Sequence, residues 1–353
     1  VMKFKLGSKS LTNFSQPYFI AEIGVNHENN INRAKKIIKL AKEGGADAVK
    51  FQSYKAETIA CKVSPYYWNL KEVPIKSQFE LFKKFDKFGF KEFKILKDYC
   101  DKIKIDFLST PFDLDAVDYL DKLVPFFKIA SADINNFPLI KKICTKNKPI
   151  IISTGASTFN EIRKTVNFIN KLNGNIKLII LHCVLSYPTK NVDAHLEWIS
   201  FLSKNFKKNV IGYSDHTLPD DTMMILTSAY LNGAQVIEKH FSDVKGQKGN
   251  DHFHSLNKND LLIFRKNINI LRQINGNKKV RNLLKCEVKS KLNARRSIVT
   301  NEIINKGEMF TEFNIIMKRP GTGIPPQKIN DILGRKAKRN LRKDQILQVS
   351  DIE

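Results

Sequence analysis

The chain has 353 residues, of which 42% are hydrophobic, and it carries 60 Lys and Arg against 35 Asp and Glu, a formal net charge of +25. This length and apolar content are enough for one large core and a small second domain. The basic residues are spread along the chain and do not cluster on one element, which argues against a nucleic-acid partner despite the charge. The five cysteines are scattered and include no C-x-x-C, which argues against a disulfide framework and a thiolate zinc site.

Hydropathy gives no sign of a membrane segment. No apolar run approaches the ~18 residues that a membrane span requires. The first residues, VMKFKLGSKSLTNF, lack the apolar region of a secretory signal. We therefore expect a cytoplasmic protein without a membrane partner.

The first strong elements are two apolar runs with a helix between them. The run 18–23 predicts a strand that carries Glu22 near its end, and the helix begins with Asn30 or Asn32 as N-cap and ends at Gly44-Gly45. The run 46–52 predicts the next strand. Residues 53–89 then form a long aromatic-rich insertion, which is either a lid or interface over the strand end or an ordinary loop with a short helix.

Strand and helix patterns alternate regularly from residue 91 onward. Strands are predicted at 106–110, 126–129, 149–153, 178–182, 210–214 and 236–240, and helices at 91–102, 113–122, 138–146, 158–172, 195–205, 221–232 and 258–273. Eight strand–helix units within ~270 residues fit a (β/α)8 TIM barrel better than an open doubly wound sheet, and no G-x-G-x-x-G opens the first helix.

Polar side chains occur at the carboxyl ends of the predicted strands, where a parallel barrel places its active site. Lys50 and Lys128 lie inside short apolar runs, and buried lysines require an anionic partner, which indicates a phosphate or carboxylate ligand. Ser131 and Ser153 supply the neutral donors that a phosphate needs. The full set of polar residues at these ends is Glu22, Lys50, Gln52, Thr110, Lys128, Ser131, Ser153, Ser214, His216, Glu238 and His240.

Two histidines follow neighbouring predicted strands. His216 comes just after the strand 210–214, and His240 ends the strand 236–240. Two neutral imidazoles at one end of a sheet can hold a divalent transition metal, with open positions for a substrate. The alternative is that each histidine is hydrogen-bonded within a core.

The last part of the chain has a different pattern. Residues 277–292 are polar and basic and are predicted to be a linker, and 293–353 contain short β-like pieces separated by Gly and Pro turns. This predicts a compact second domain that is too small for a catalytic core. Its most notable side chain is Arg319, before a Pro-Gly turn, although a surface arginine is the default interpretation.

Taken together, the motifs resemble those of the sialic acid synthase family. They are AEIGVNH at 21–27, VKFQ at 49–52, STPF at 109–112, FKIAS at 127–131, STG at 153–155, HCVLSYPT at 182–189, GYSDHT at 212–217, EKHF at 238–241 and KRPGTG at 318–323. The resemblance implies a TIM-barrel catalytic domain over 1–276, a linker over 277–292, and a small β-clip antifreeze-like (SAF) domain over 293–353. It also implies a transferase that forms a C–C bond between phosphoenolpyruvate and an N-acyl hexosamine and releases phosphate.

The resemblance also implies roles for individual residues. His216 and His240 match the metal ligands, with Mn²⁺ as the expected ion and Mg²⁺ or Co²⁺ as alternatives. Glu22 matches the active-site carboxylate, either for proton transfer or for ordering the attacking water. The residues that match the phosphoenolpyruvate-binding groups are Lys50, Lys128, Ser131, Ser153 and Ser214.

The sugar side of the resemblance is less uniform. Gln52, Thr110, Tyr187 and Asp251 match sugar-facing positions, and Arg319 matches an arginine that reaches the partner's barrel in a domain-swapped homodimer. The chain departs from the family pattern at Leu185, Asp133 and 64–68, all on the acceptor side. The acceptor is therefore open between N-acetylmannosamine, its 6-phosphate and a 2,4-diacetamido-2,4,6-trideoxyhexose, with Leu185 favouring the less hydroxylated sugar.

Two other functions compete with this interpretation. One is another metal-dependent barrel aldolase or keto-acid synthase. The other is a non-catalytic basic binding protein built on the same barrel.

Overall fold

The computed structural model describes residues 4–12, 15–276 and 282–353. The chain divides into two compact units between residues 277 and 278. The first residues of the predicted linker, 277–281, lie outside the described residues, and the chain is already helical from Lys285. The proposed domain limits therefore stay a prediction. In the described part of the chain, none of the helices is both long and apolar enough to cross a membrane.

The first unit contains a short hairpin, eight parallel strands and ten helices among its described residues. The strands are β1 (Phe4–Leu6), β2 (Lys9–Leu11), β3 (Tyr18–Gly24), β4 (Ala48–Ser53), β5 (Asp106–Pro111), β6 (Phe127–Ile129), β7 (Ile150–Ser153), β8 (Leu178–Cys183), β9 (Val210–Asp215) and β10 (Val236–His240). The helices are α1 (Ile31–Gly44), α2 (Ala56–Ile59), α3 (Gln78–Phe85), α4 (Phe90–Ile103), α5 (Leu114–Asp121), α6 (Phe137–Cys144), α7 (Phe159–Leu172), α8 (Glu197–Asn205), α9 (Met224–Leu231) and α10 (Lys258–Asn275).

The eight strands β3 to β10 form one parallel sheet that curves into a barrel. Hydrogen-bonded neighbours follow the order β5-β4-β3-β10-β9-β8-β7-β6. The two end strands, β5 and β6, lie side by side with Cα atoms within 8 Å, which brings the ring together. The predicted (β/α)8 fold is confirmed, because each strand returns to its neighbour through a helix on the outside.

Local sequence explains where the outer helices begin and end. In α1 the side chain of Asn30 accepts a hydrogen bond from the Arg33 amide, so Asn30 and not Asn32 is the N-cap. The helix ends at Gly45, whose φ of 94° lies in the left-handed region that favours glycine. Thr158 and Glu161 form a capping box at the start of α7.

Alternation along the strands separates the barrel interior from the layer beneath the helices. In β10, Glu238 and His240 share one face, whereas Ile237 and Lys239 share the other. Lys239 is buried on that outer side, where it pairs with Asp215 at 2.7 Å. Glu238 and His240 therefore lie on the face of β10 that is directed to the barrel interior.

The hairpin β1–β2 was not predicted, and it packs at the amino ends of the strands. Leu6 and Leu11 are fully buried. Lys9 Nζ lies 2.9 Å from Asp47, just before β4, and Ser8 donates to Asp106 at the start of β5. This end of the barrel is thus covered, which leaves the carboxyl ends of the strands for a cavity.

The insertion after β4 contains the short helices α2 and α3, and Pro65 pairs with Ser77 to close the loop between them. Tyr67 and Phe82 of this segment line the cavity at the carboxyl ends of the strands. The insertion therefore has the short helices of an ordinary loop and also forms part of the cavity wall.

The second unit has its own small core. Helix α11 (Val288–Ala294) precedes an antiparallel pair, β11 (Ser297–Thr300) with β12 (Ile315–Lys318). Several of the other β-like pieces pair as isolated bridges, such as Ile304 with Leu341. Buried residues of the core include Ile298, Ile304, Phe310, Ala337, Leu341 and Leu347.

Close approach of β9 and β10 gives a stability prediction. A Cβ atom on Gly212 would lie 2.2 Å from the carbonyl oxygen of Val236 and 2.5 Å from Leu181 Cδ2. We expect Gly212→Ala to lower the free energy of unfolding by about 1–3 kcal/mol, because the sheet would have to shift. Denaturant unfolding measures this, with Gly174→Ala as the control, since its Cβ would have ordinary contacts. Equal stability of the two variants would contradict this packing.

Candidate active site

A cavity of about 360 Å³ opens at the carboxyl ends of the strands. Among its lining residues are most of those predicted from the sequence: Glu22, Lys50, Gln52, Thr110, Lys128, Ser131, Ser153, Tyr187, Ser214, His216 and His240. Asp251 lines a smaller adjoining pocket of about 120 Å³ that shares Gln52, Tyr187 and His240 with the first. Arg319 lies in the second unit and is exposed.

Two lysines and two carboxylates form a buried ion cluster in the cavity. Lys50 Nζ lies 2.7 Å from Glu22 and 3.8 Å from Glu238, and Lys128 Nζ lies 3.7 Å from Glu238. Strand register places these groups together, since Glu22 is paired with both Lys50 and His240 across the sheet. Each of the four groups is more than nine-tenths buried. The carboxylates of Glu22 and Glu238 therefore balance the charges of the two lysines.

The cluster shifts the pKa values of its members in different directions. Burial lowers the pKa of Lys128, and Glu238 only partly opposes it. Burial also acts on Lys50, but Glu22 and Glu238 outweigh it and raise the pKa of Lys50 overall. Burial would raise the pKa of Glu238, yet Lys128 and Lys50 hold it below its usual range. Burial raises the pKa of Glu22 to about 7, and the charge of Glu238 adds to this while Lys50 opposes it.

Serine and threonine hydroxyls surround the lysines. Ser214 donates to Glu238 at 3.1 Å, and Thr110 accepts from Lys50 at 3.1 Å. Ser131 accepts from the Gly155 amide at 2.9 Å, and the buried Ser153 hydroxyl has no hydrogen-bond partner within residues 4–12, 15–276 and 282–353. A buried hydroxyl without a partner costs free energy unless a ligand satisfies it. These groups can thus donate to an anion held between the lysines.

Three histidines lie together beside this cavity, and two of them, His216 and His240, line it. The ring centroid of His216 is 5.5 Å from that of His240 and 6.2 Å from that of His254, and His240 and His254 are 4.6 Å apart. The ring of Tyr187 contacts all three, with centroids at 4.4 to 6.4 Å. The predicted pair, His216 and His240, is therefore brought together, and His254 joins it.

His240 and His254 are held as neutral imidazoles. Burial and the neighbouring cationic groups lower the pKa of both well below the usual value. His216 differs, because Cys183 Sγ at 3.8 Å and the Val184 carbonyl outweigh burial and raise its pKa. Neutral imidazole is the form that binds a metal.

Among the described residues, ligand atoms of His240, Asp251 and His254 all lie within 4.8 Å of one another. Asp251 Oδ2 is 3.4 Å from His240 Nδ1, a buried nitrogen for which the described part of the chain offers no hydrogen bond. Burial raises the pKa of Asp251 to about 6, against the opposing charges of His216 and Lys50. Imidazole and carboxylate are suitable ligands for a divalent transition metal, so the residues present fit such an ion.

Sequence reasoning assigned no role to Glu238 or His254. Glu238 was among the polar residues expected at the strand ends, and alternation could have placed it in the site, because it lies two residues before His240 on the same face of β10. For His254 the available signal was the sequence DHFH at 251–254, which forms a short 3₁₀ turn and brings His254 back beside His240.

Fold and site define a parallel-barrel protein with a buried cluster of two lysines and two carboxylates beside a group of metal-type ligands. The NeuB family model matches residues 37–280, and the SAF domain model matches residues 295–353. The chain belongs to the NeuB family, as the resemblance indicated, and carries a C-terminal SAF domain.

Similar proteins include synthases of several nonulosonic acids. The chain is 38% identical to the N,N'-diacetyllegionaminic acid synthase of Campylobacter jejuni, over 93% of this chain and 98% of that one. It is 32% identical to the pseudaminic acid synthase of Helicobacter pylori, over 96% and 98%. The solved structure of the sialic acid synthetase of Leptospira borgpetersenii in complex with citrate is 31% identical, with a TM-score of 0.71 over 82% of this chain and 95% of that one.

Proposed function

We propose that this protein condenses phosphoenolpyruvate with an N-acyl hexosamine and releases phosphate. The observation that carries the proposal is the pair of buried lysines, Lys50 and Lys128, which share Glu238 at 3.8 and 3.7 Å inside a cavity rimmed by histidines. A small anion with two charged groups can replace the internal carboxylates as the partner of these ammonium groups.

In the donor half of the site, Lys50, Lys128 and the serine hydroxyls hold the phosphate and carboxylate of phosphoenolpyruvate. The C3 carbon attacks the aldehyde carbon of the open-chain sugar, and water adds at C2. The C2–O bond to phosphate then breaks, which releases inorganic phosphate and leaves a 2-keto acid. The two lysines stabilise the negative charge of the tetrahedral intermediate.

In the acceptor half, His216 and His240 would hold the divalent metal, for which Mn²⁺ is our first choice and Mg²⁺ or Co²⁺ are alternatives. When bound, the metal supplies Lewis-acid polarisation of the aldehyde oxygen. Gln52 donates to Glu22 Oε1 at 3.1 Å and is thereby fixed in the cavity. Gln52, Thr110, Tyr187 and Asp251 are proposed to contact the sugar.

Glu22 is proposed to order the attacking water and to accept its proton. Its pKa is raised to about 7, so the carboxyl is neutral below that pH and charged above it. We expect kcat/KM to fall as the pH decreases through about 7, because only the charged form accepts a proton. Glu22→Gln should lower kcat by roughly 10²–10⁴-fold and abolish this decrease of kcat/KM at low pH. If kcat/KM of the variant still fell as the pH decreased through about 7, the role assigned to Glu22 would be contradicted.

Aromatic and aliphatic side chains form the outer wall of the site. Leu185 and Phe82 line the main cavity, and Tyr67 and Trp68 line the adjoining pocket. Among the described residues that line the two pockets, Lys50 and Lys128 are the lysine and arginine side chains, and both are assigned to phosphoenolpyruvate. This lining favours a 2,4-diacetamido-2,4,6-trideoxyhexose, whose methyl groups match an apolar wall, over N-acetylmannosamine or its 6-phosphate.

Incubation with Mn²⁺, phosphoenolpyruvate and each of these three acceptors tests the proposal, with released phosphate and product mass as readouts. We expect phosphate release only with an acceptor, and fastest with the trideoxyhexose. If no phosphate is released with any of the three acceptors, the synthase function is rejected. Product from free pyruvate instead would indicate an aldolase, and salt-sensitive DNA binding that survives loss of His216 would indicate a basic binding protein.

The proposal includes a domain-swapped homodimer in which Arg319 contacts the N-acyl group in the partner's barrel, with domains at 1–276, 277–292 and 293–353. We expect Arg319→Ala to raise KM for the acceptor by roughly tenfold or more while KM for phosphoenolpyruvate stays nearly constant, because a charged hydrogen bond contributes about 1.5–3 kcal/mol. Steady-state kinetics measure both constants. Arg342→Ala, at another exposed position of the same unit, is the control. An equal change in both KM values would contradict this role.

A further inference from the structure

His254 is the buried histidine whose ring is least satisfied. It is fully buried, and neither of its nitrogens has a hydrogen-bond partner among the residues that the structure describes. The chain has seven histidines, all of them in the part that the structure describes. Four of the other buried ones each have at least one hydrogen-bonded ring nitrogen: His27, His182, His216 and His252.

A buried imidazole without partners is unfavourable. Burying one polar group without a hydrogen bond costs about 1–3 kcal/mol, and His254 has two such nitrogens. His252, two residues earlier, shows the satisfied alternative, since its Nδ1 lies 2.6 Å from Ser242 Oγ and its Nε2 lies 3.3 Å from Glu28. The environment of His254 therefore indicates a group that is bound there in the functional protein.

The neighbours of His254 identify the kind of group. Its ligand atom lies within 4.8 Å of those of His240 and Asp251, and the Nδ1 of His240 also lacks a hydrogen-bond partner. With metal–nitrogen bonds of about 2.0–2.1 Å, two imidazoles on one ion have ring centroids roughly 4.5–5.5 Å apart. The separation of 4.6 Å between His240 and His254 fits, and so does that of 5.5 Å between His216 and His240. His216 and His254 are 6.2 Å apart, which lies beyond this range, so His240 is the ring that His254 accompanies most closely.

We propose that His254 is a direct ligand of the divalent metal, together with His240 and Asp251. The proposal rests on the metal half of the proposed function and adds to the pair His216 and His240 a nitrogen ligand outside the strand ends. It also has a consequence for metal choice. A further imidazole favours Co²⁺ or Zn²⁺ over Mn²⁺, because affinity for nitrogen ligands rises along that series.

Metal binding by the full-length protein tests the inference without any substrate. Protein stripped with a chelator is titrated with Co²⁺ and with Mn²⁺ by calorimetry, for the wild type and for His254→Leu, which replaces the imidazole with an apolar side chain of similar size. We expect His254→Leu to weaken Co²⁺ binding by roughly 100-fold and Mn²⁺ binding by less. The control is His195→Ala, at an exposed position, which should bind as the wild type does.

A second measurement covers the case in which His254→Leu does not fold. Anomalous diffraction from Co²⁺-loaded wild-type crystals locates the ion directly, and we expect a His254 nitrogen within about 2.3 Å of it. Unchanged Co²⁺ affinity in a folded His254→Leu, or an ion far from His254, would overturn the inference. Neither result depends on turnover, so a protein that binds Co²⁺ through His254 but releases no phosphate would reject the synthase and leave the inference standing.

Discussion

Replacement of Lys128 by methionine is expected to lower kcat/KM for phosphoenolpyruvate by roughly 10³-fold, a loss of about 4 kcal/mol in transition-state stabilisation. Lys128 Nζ is almost fully buried and lies 3.7 Å from Glu238. Its charge is therefore poorly screened, and it acts most strongly when negative charge develops on the tetrahedral intermediate. Steady-state kinetics with saturating acceptor measure the effect.

The same substitution removes one of the two ammonium groups that balance the charge of Glu238. A buried carboxylate that loses a charged partner destabilises the fold by about 3–5 kcal/mol. The double variant Lys128→Met/Glu238→Gln removes that charge and should recover most of the lost stability but none of the activity. Lys141→Met, on the exposed side of α6, is the matched control. Recovery of turnover in the double variant would show that Lys128 only balances Glu238.

Loss of His240 is expected to abolish metal-dependent turnover. His240 is the residue common to the predicted pair with His216 and to the cluster with Asp251 and His254. We expect His240→Leu to reduce kcat by at least about 10³-fold at any Mn²⁺ concentration, because the polarisation of the aldehyde oxygen is a transition-state effect. Phosphate release measures this.

Metal removal provides the companion experiment on the wild type. Exhaustive chelation should eliminate phosphate release, and added Mn²⁺ or Co²⁺ should restore it. His195→Ala should respond to chelation and metal as the wild type does. Full activity after chelation, or in His240→Leu, would contradict a metal-dependent condensation and would favour a barrel enzyme that uses only the lysines.

The positions of the strand-end residues could be predicted because they depend on local periodicity. In a parallel barrel the carboxyl ends of all strands meet at one end, so Lys50, Lys128 and His240 were expected at that end once eight strands were counted. The anion-binding role proposed for the two lysines also came from residue type, since lysine in an apolar run requires an anionic partner. The SAF domain was predictable from its turns and from KRPGTG.

What sequence alone determined here is the barrel, its polar end and the family, because strand periodicity and short motifs are local properties of the chain. Only the tertiary structure decided which carboxylate neutralises each lysine and that His254 lies 4.6 Å from His240. Those contacts join residues that are distant in sequence or separated by an irregular turn. Their distances depend on strand register and loop conformation, which no local pattern encodes.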